Sequence, residues 1–365
     1  MSEYILILLW VGIAGIMACT GCFDRVEEVN GRNVWRLNPV YAFLVLLPLA
    51  VWRIRGVYLG DTYTYINSYF GMPENFSGIS EYMSMVTKDR AFYLFGCLLR
   101  IFWKDKVGWY LATITFVQIC LLTKVYRRYS DRFMISIFLF IASADYISWI
   151  FNGVRQFLAV TIVFACFNMI LKKRYIPVII ILLLASQFHG SALIVAPFVF
   201  ICQGKAWNKR TILFLAGVVF AVVFVGKFTD ILDFMLTETQ YTNVVSDWHD
   251  FNDDGTNMLR VLVYSVPAII SWFGRKQIQD QDNPIINLCT NMSIVAAGMY
   301  IVSAFTSGIF IGRLPIYFSL YSYILLPWEI DNLFSESVRK LIYCIMVGCY
   351  LVFYYYQMHV IYMVF

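Results

Sequence analysis

The sequence predicts an all-α protein, a polytopic bundle of about 10–12 transmembrane helices forming a single membrane domain over residues 1–365. Three observations predict it. Apolar residues make up 60% of the chain and charged residues 14%, where soluble domains carry about 45–50% and about 25%. Apolar runs close to bilayer length recur from end to end and leave no soluble domain of any size. Aromatic residues reach 18%, with 25 Tyr and 10 Trp, which suits belts at two membrane interfaces.

The runs fall at about 4–21, 39–52, 107–125, 132–150, 153–171, 211–228, 258–273, 285–307, 311–328 and 341–361. Several are shorter than the ~20 residues a bilayer core needs, so tilt or flanking turns must extend them. The first run has no basic residue before it and no small-residue cleavage site, so it reads as a retained helix rather than a signal peptide. Residues 91–103, "AFYLFGCLLRIFW", resemble a further span, but counting them upsets the alternation of sides set by Arg127 and Arg128. They are expected to form an amphipathic or partly inserted helix within an external segment, 53–106.

Orientation follows from basic residues in short loops. Lys124, Arg127, Arg128 and Arg132 form one cluster; Lys172, Lys173 and Arg174 another; Lys205, Lys209 and Arg210 a third; Arg275 and Lys276 a fourth. With these on the cytoplasmic side, the turns near 150–153 and 308–312 and the loop 229–257 face outside. That loop holds Asp230, Asp233, Glu238, Asp247, Asp250, Asp253 and Asp254 and no Lys or Arg. The net charge of +5 therefore reports topology, and no nucleic-acid partner is expected.

Basic clusters flank 175–203, so this segment must leave the cytoplasm and return. At ~1.5 Å per residue each arm reaches only ~20 Å. "QFHG" (187–190) is then the tip of a short hairpin, and non-helical backbone at that depth belongs where it is buried in protein or lines a wet cavity. Other awkward polar residues fall on the same external side: Arg53, Arg55, Asp61, Tyr63 and Tyr65 after the second run, Arg155 and Gln156 in "NGVRQF", Gln187 and His189 at the tip, and Arg313 and Tyr317 in "GRLPIYF". Taken singly, each arginine snorkels and each tyrosine joins an interfacial belt. Taken together, arginines from separate helices with one Asp and one His describe a pocket for an anionic ligand. Arginine suits phosphate through its planar fork and permanent charge. A diphosphate leaving group carries the matching charge, and Asp61 and His189 are the available proton acceptors for a sugar hydroxyl. His189 has the better unperturbed pKa for that work.

No metal site and no cofactor is expected. Cys19 and Cys22 have C-x-x-C spacing, but no further Cys or His is near. Asp250, Asn252, Asp254 and Gly255 match the front of a calcium loop, with His249 beside them, yet the twelfth position is Val261 where an acid is needed. Glycine-rich phosphate loops, G-x-S-x-G and H-E-x-x-H are absent.

"WRIRG" and "GDTYTYINSYF", then "NGVRQFLAVTIVF", "KKRY", "LLLASQFHGSALI" and "GRLPIYF", in this order over roughly 50–325, resemble the EpsG-like branch of the Wzy-type polysaccharide polymerases. The segment "TKDRAFYLFGCLL" departs from the family pattern and leaves Asp89 and Arg90 without a transferable role. The resemblance implies a metal-independent glycosyltransferase of GT-C-like architecture in the bacterial inner membrane, its active site on the periplasmic or external side. Its substrates would be an undecaprenyl diphosphate-linked growing glycan as donor and a second lipid-linked unit as acceptor. A chain-length regulator and a flippase of the same pathway would be further partners, with membrane lipids around it. Arg155 and Arg313 would hold the donor diphosphate, His189 or Asp61 would activate the acceptor, and Arg53 and Arg55 would make a second anionic contact. Two other readings compete. A flippase for lipid-linked oligosaccharide needs charge through the membrane depth, whereas 211–226, 261–273 and 285–307 are almost free of it. A membrane O-acyltransferase with His189 as base needs an acyl-donor route, and none is visible.

Overall fold

Apolar helix formers between capping residues set the architecture: 78% of the described residues are helical, with almost no sheet among them. The computed structural model describes residues 3–29, 32–57, 59–236 and 255–363. The acidic loop expected over 229–257, with its calcium-like stretch and His249, lies mostly outside them. Two compact units are formed. One comprises Met1–Ile170, Arg174–Leu193 and Glu336–Phe365; the other comprises Leu171–Lys173 and Ile194–Ser335.

The first unit opens with α1 (Glu3–Cys19) and an antiparallel pair, β1 (Asp24–Val29) and β2 (Arg32–Leu37), with Asp24 opposite Leu37. No strand was expected here, although the Asn30-Gly31 dipeptide is a hairpin signal. α2 (Pro39–Ile54) follows, started by the Asn38 side chain, which accepts from Val40 N at 2.9 Å, and by proline in the first turn. Next come α3 (Thr62–Phe70), α4 (Ile79–Met85), α5 (Arg90–Trp103) and α6 (Val107–Tyr129). α2 and α6 run antiparallel: a Cβ on Gly108 would lie 2.9 Å from Arg53 O, and Phe43 meets Phe116 with ring centroids 5.1 Å apart. Glycine at 108 permits that close crossing.

α7 (Phe133–Ala142) bends by 74° into a π-helical segment, Tyr146–Asn152, through Ala144 at φ +57°. α8 (Val154–Ala165), α9 (Phe167–Leu171) and α10 (Tyr175–Ser186) follow, and α5 packs its stripe Phe92, Gly96, Cys97 and Leu99 into a core with Tyr65, Tyr69, Tyr110 and Leu158. The boundary between the units falls between Leu193 and Ile194, inside the segment expected to be a hairpin.

The second unit holds α11 (Val195–Ile201), α12 (Lys209–Val223), α13 (Val225–Leu236), α14 (Met258–Phe273), α15 (Arg275–Gln281), α16 (Pro284–Ala304), α17 (Ile316–Ser319) and α18 (Ser322–Leu333). Asn208, Asn257 and Asn283 cap α12, α14 and α16. α19 (Glu336–Tyr356) returns to the first unit, where the Tyr354 hydroxyl donates to Tyr4 O at 2.7 Å and lies 2.6 Å from that of Tyr146.

By length and composition, three helices among the described residues can cross a membrane, Val107–Tyr129, Pro284–Ala304 and Glu336–Ile361, or up to five if each of two bent pairs is one span. Six shorter apolar helices of 10–17 residues accompany them among the same residues. The sequence reading of about 10–12 spans counted apolar runs. Runs do not show where a helix breaks: 211–228 bends by 107° after Val223, and 311–328 splits into a 3-10 turn, α17 and α18.

Candidate active site

Arg155 stands in the first turn of α8, its side chain 30% exposed. Nη1 donates to Asp89 Oδ2 at 2.8 Å and, more weakly, to Tyr93 Oη at 3.4 Å. The Tyr65 hydroxyl is also hydrogen-bonded by Arg155, and the rings of Tyr65 and Phe92 lie 5.8 and 6.0 Å from its Cζ. The guanidinium is thus held in an aromatic recess with part of its fork still open. The carbonyl beside it, Val154 O, accepts from Gln118 Nε2 at 3.1 Å, which sets the start of α8 level with the middle of α6.

Asp89 has φ +51° and a side chain only 9% exposed. Burial pushes its carboxyl above the ordinary range; the Arg155 charge and a hydrogen bond from Gly190 N oppose this. The "QFHG" tip explains the arrangement. Gln187 O accepts from Ala91 N at 2.9 Å, a donor that the start of α5 leaves open, and more weakly at 3.4 Å from Phe92 N, which already donates to Asp89 O at 2.9 Å. The glycine that follows reaches Asp89. His189 lies between these two contacts, half-buried, with Nδ1 2.7 Å from Ser191 Oγ and facing the Ser191 N–H at 3.4 Å.

Asp61 is fixed through its backbone. Its N–H donates to Asn152 Oδ1 at 2.7 Å, and Gly60 at φ +51° allows the approach. Thr62 Oγ1 donates to Phe151 O and accepts from Arg53 Nη1 at 3.0 Å, while Arg53 Nη2 donates to Ile150 O. Arg53 is fully buried, its Cζ 4.0 Å from the Phe151 ring centroid. This latch presents the Asp61 carboxylate to solvent.

The sequence-predicted residues therefore separate. Tyr65, Arg155 and His189 are brought together in the first unit through Asp89 and the 187–190 backbone, and Asp61 joins them only along α3, where its carbonyl accepts from Tyr65 N at 3.4 Å. Arg53 is buried beneath it among protein partners. Arg55 and Tyr63 are exposed, Gln156 is buried, and the Gln187 side chain is exposed. Arg313 and Tyr317 belong to the second unit, Arg313 exposed on the 3-10 turn Ile311–Arg313 and Tyr317 buried in α17. Tyr93, Thr62 and Asn152 were not singled out from sequence, and Asp89 was noted there without a role. The signal for Asp89 was an acid directly before an apolar, amphipathic run; its partner 66 positions away was not visible.

A family model described as the EpsG family matches residues 39–363. The chain belongs to the EpsG family. No curated protein and no solved structure matches it. The EpsG match contains Asp61, Tyr65, Asp89, Arg155 and His189 and stops short of α1 and the β-hairpin.

Proposed function

We propose that this EpsG-family protein is a membrane polysaccharide polymerase that transfers a growing glycan from a lipid diphosphate to the hydroxyl of another lipid-linked sugar. Family membership supports a membrane polymerase of polysaccharide biosynthesis. The observation that carries the finer reading is Arg155, an open guanidinium in an aromatic recess, braced by Asp89.

In the proposed reaction the acceptor oxygen attacks the anomeric carbon of the donor. The new C–O bond forms as the bond from that carbon to the diphosphate oxygen breaks, and the electron pair leaves with the diphosphate. Arg155 offsets the charge that develops there, and exposed Lys88 and Arg90 on either side of Asp89 add to the positive field. The acceptor proton goes to Asp61, whose carboxylate is exposed and whose backbone is fixed. His189, held through Nδ1 by Ser191, positions the acceptor hydroxyl in this scheme. Arg313 is proposed as an anion contact of the second unit.

The test uses purified protein and a lipid diphosphate-linked repeat unit, with products resolved on a gel. A ladder that Arg155→Ala and Asp61→Asn abolish supports the reading. Absence of a ladder from wild type, with the lipid-linked unit instead crossing liposomes, rejects it in favour of a flippase. Full activity in Arg313→Lys rejects a bidentate role for Arg313.

A further inference from the structure

The basic end of α6 carries a cleft that the proposed chemistry does not use. A cavity of about 730 Å³ lies between β2, the start of α2 and the last turns of α6. Arg36, Lys124, Arg127 and Arg128 line it with, among the described residues, one carboxylate, Glu27, and Phe43 lies on its apolar side.

Charge is unevenly matched there. Arg127 is the inner cation, its side chain 14% exposed; it donates to Glu27 through Nη2 and to Leu37 O through Nε. That pairing engages the one carboxylate of the lining. Lys124 and Arg128 are exposed and Arg36 is half-buried. Burial holds Arg36 below its ordinary pKa; Arg127 and Arg128 act in the same direction, and Glu27 and Asp131 oppose them. Crowding like charges in a partly enclosed cleft is unfavourable unless an anion enters. Arginine forks suit phosphate, and an apolar wall beside them suits the carbon chain of an amphiphile. α6 is long and apolar enough to cross a membrane, so its basic end meets a headgroup layer. Arg127 lies nine residues beyond Gln118, or about 14 Å along the helix at ~1.5 Å per residue, which separates the cleft from Arg155.

We propose that this cleft binds the phosphate of an anionic lipid headgroup, with Arg36, Lys124 and Arg128 around the phosphate and Phe43 against the first carbons of the lipid. A water-soluble phosphate shares the recognised chemistry, and the experiment distinguishes the two sources. Delipidated full-length protein in neutral detergent is titrated with phosphatidylglycerol, phosphatidylcholine or inorganic pyrophosphate, and complexes are counted by native mass spectrometry. The variants are Arg36→Gln with Lys124→Gln, and, as a control basic pair elsewhere, Arg275→Gln with Lys276→Gln. Gel-filtration profiles matching wild type show that each variant is folded. The expected result is binding of phosphatidylglycerol over phosphatidylcholine that weakens about fivefold per cation removed from the cleft and is unchanged in the control pair. Pyrophosphate binding with the same loss, and no preference for phosphatidylglycerol, keeps the phosphate site but overturns its assignment to a lipid. Equal binding by wild type and the cleft variant, for both ligands, overturns the site itself.

Discussion

The two halves of α6 hold their arginines in opposite ways. Around the half that begins at Val107, each has a defined partner: Arg53 has Ile150 O and Thr62, Arg100 has Glu74 and, at 3.4 Å, Asp105, and Arg155 has Asp89. At the Tyr129 end, four cations line one cleft in which Glu27 is the carboxylate among the described lining residues. A buried guanidinium needs partners for its charge, whereas in a cleft at the surface water screens part of the repulsion and an anion can relieve the rest. The first half is therefore a built framework in which one arginine, Arg155, keeps part of its fork open. The second is a surface field. Perturbing each half should give a different kind of loss.

The largest effect is expected from Arg155→Ala, with polymer formation falling about a hundredfold or more, as when one preorganised charge-stabilising donor is removed. Arg155→Lys is expected to recover part of it, because charge survives and the fork does not. The same pair predicts a pH limb. Burial raises the Asp89 pKa, so on acidification Asp89 takes up its proton earlier than an ordinary carboxylate and stops bracing Arg155. Polymerisation should fall as pH drops, from above the usual carboxylate range, and Asp89→Asn should remove that limb along with much of the activity. A wild-type pH–rate curve in Asp89→Asn would break the comparison.

Next in size is Arg53→Met, which leaves Ile150 O and Thr62 without their donor and should cost roughly 2 kcal/mol, read as a lower unfolding temperature in detergent. If stability is unchanged and only activity falls, Arg53 acts on substrate and the framework reading fails. The cleft variants should instead weaken lipid retention about fivefold per cation without that loss of stability. The smallest effect is expected from Gly60→Ala, about 1 kcal/mol or more, because φ is +51° and a Cβ would meet Asn152 Oδ1. An unshifted melting curve there would mean that the Asp61–Asn152 latch yields freely.

Composition alone determined that this is an apolar helical chain, because 60% apolar residues with 14% charge cannot be arranged as a soluble domain. Asn38-Pro39 and Asn283-Pro284 carry a local signal for a cap and first turn that the apolar runs did not use, since the capping bond closes within two residues. Arg155, Asp61 and His189 were marked by their cost in an apolar setting, a property of each residue by itself. What only the tertiary structure decided involves partners distant in sequence. Asp89 became a brace because α5 and α8 meet, and the "QFHG" tip became a cap of α5 because its Gln187 carbonyl arrives at the open Ala91 N–H. Arg53 looked like a ligand contact and is packed beneath the site, since burial depends on which helices close over it. The number of long spans was likewise undecided, because a hydropathy run records the solvent a segment prefers and not where packing bends it.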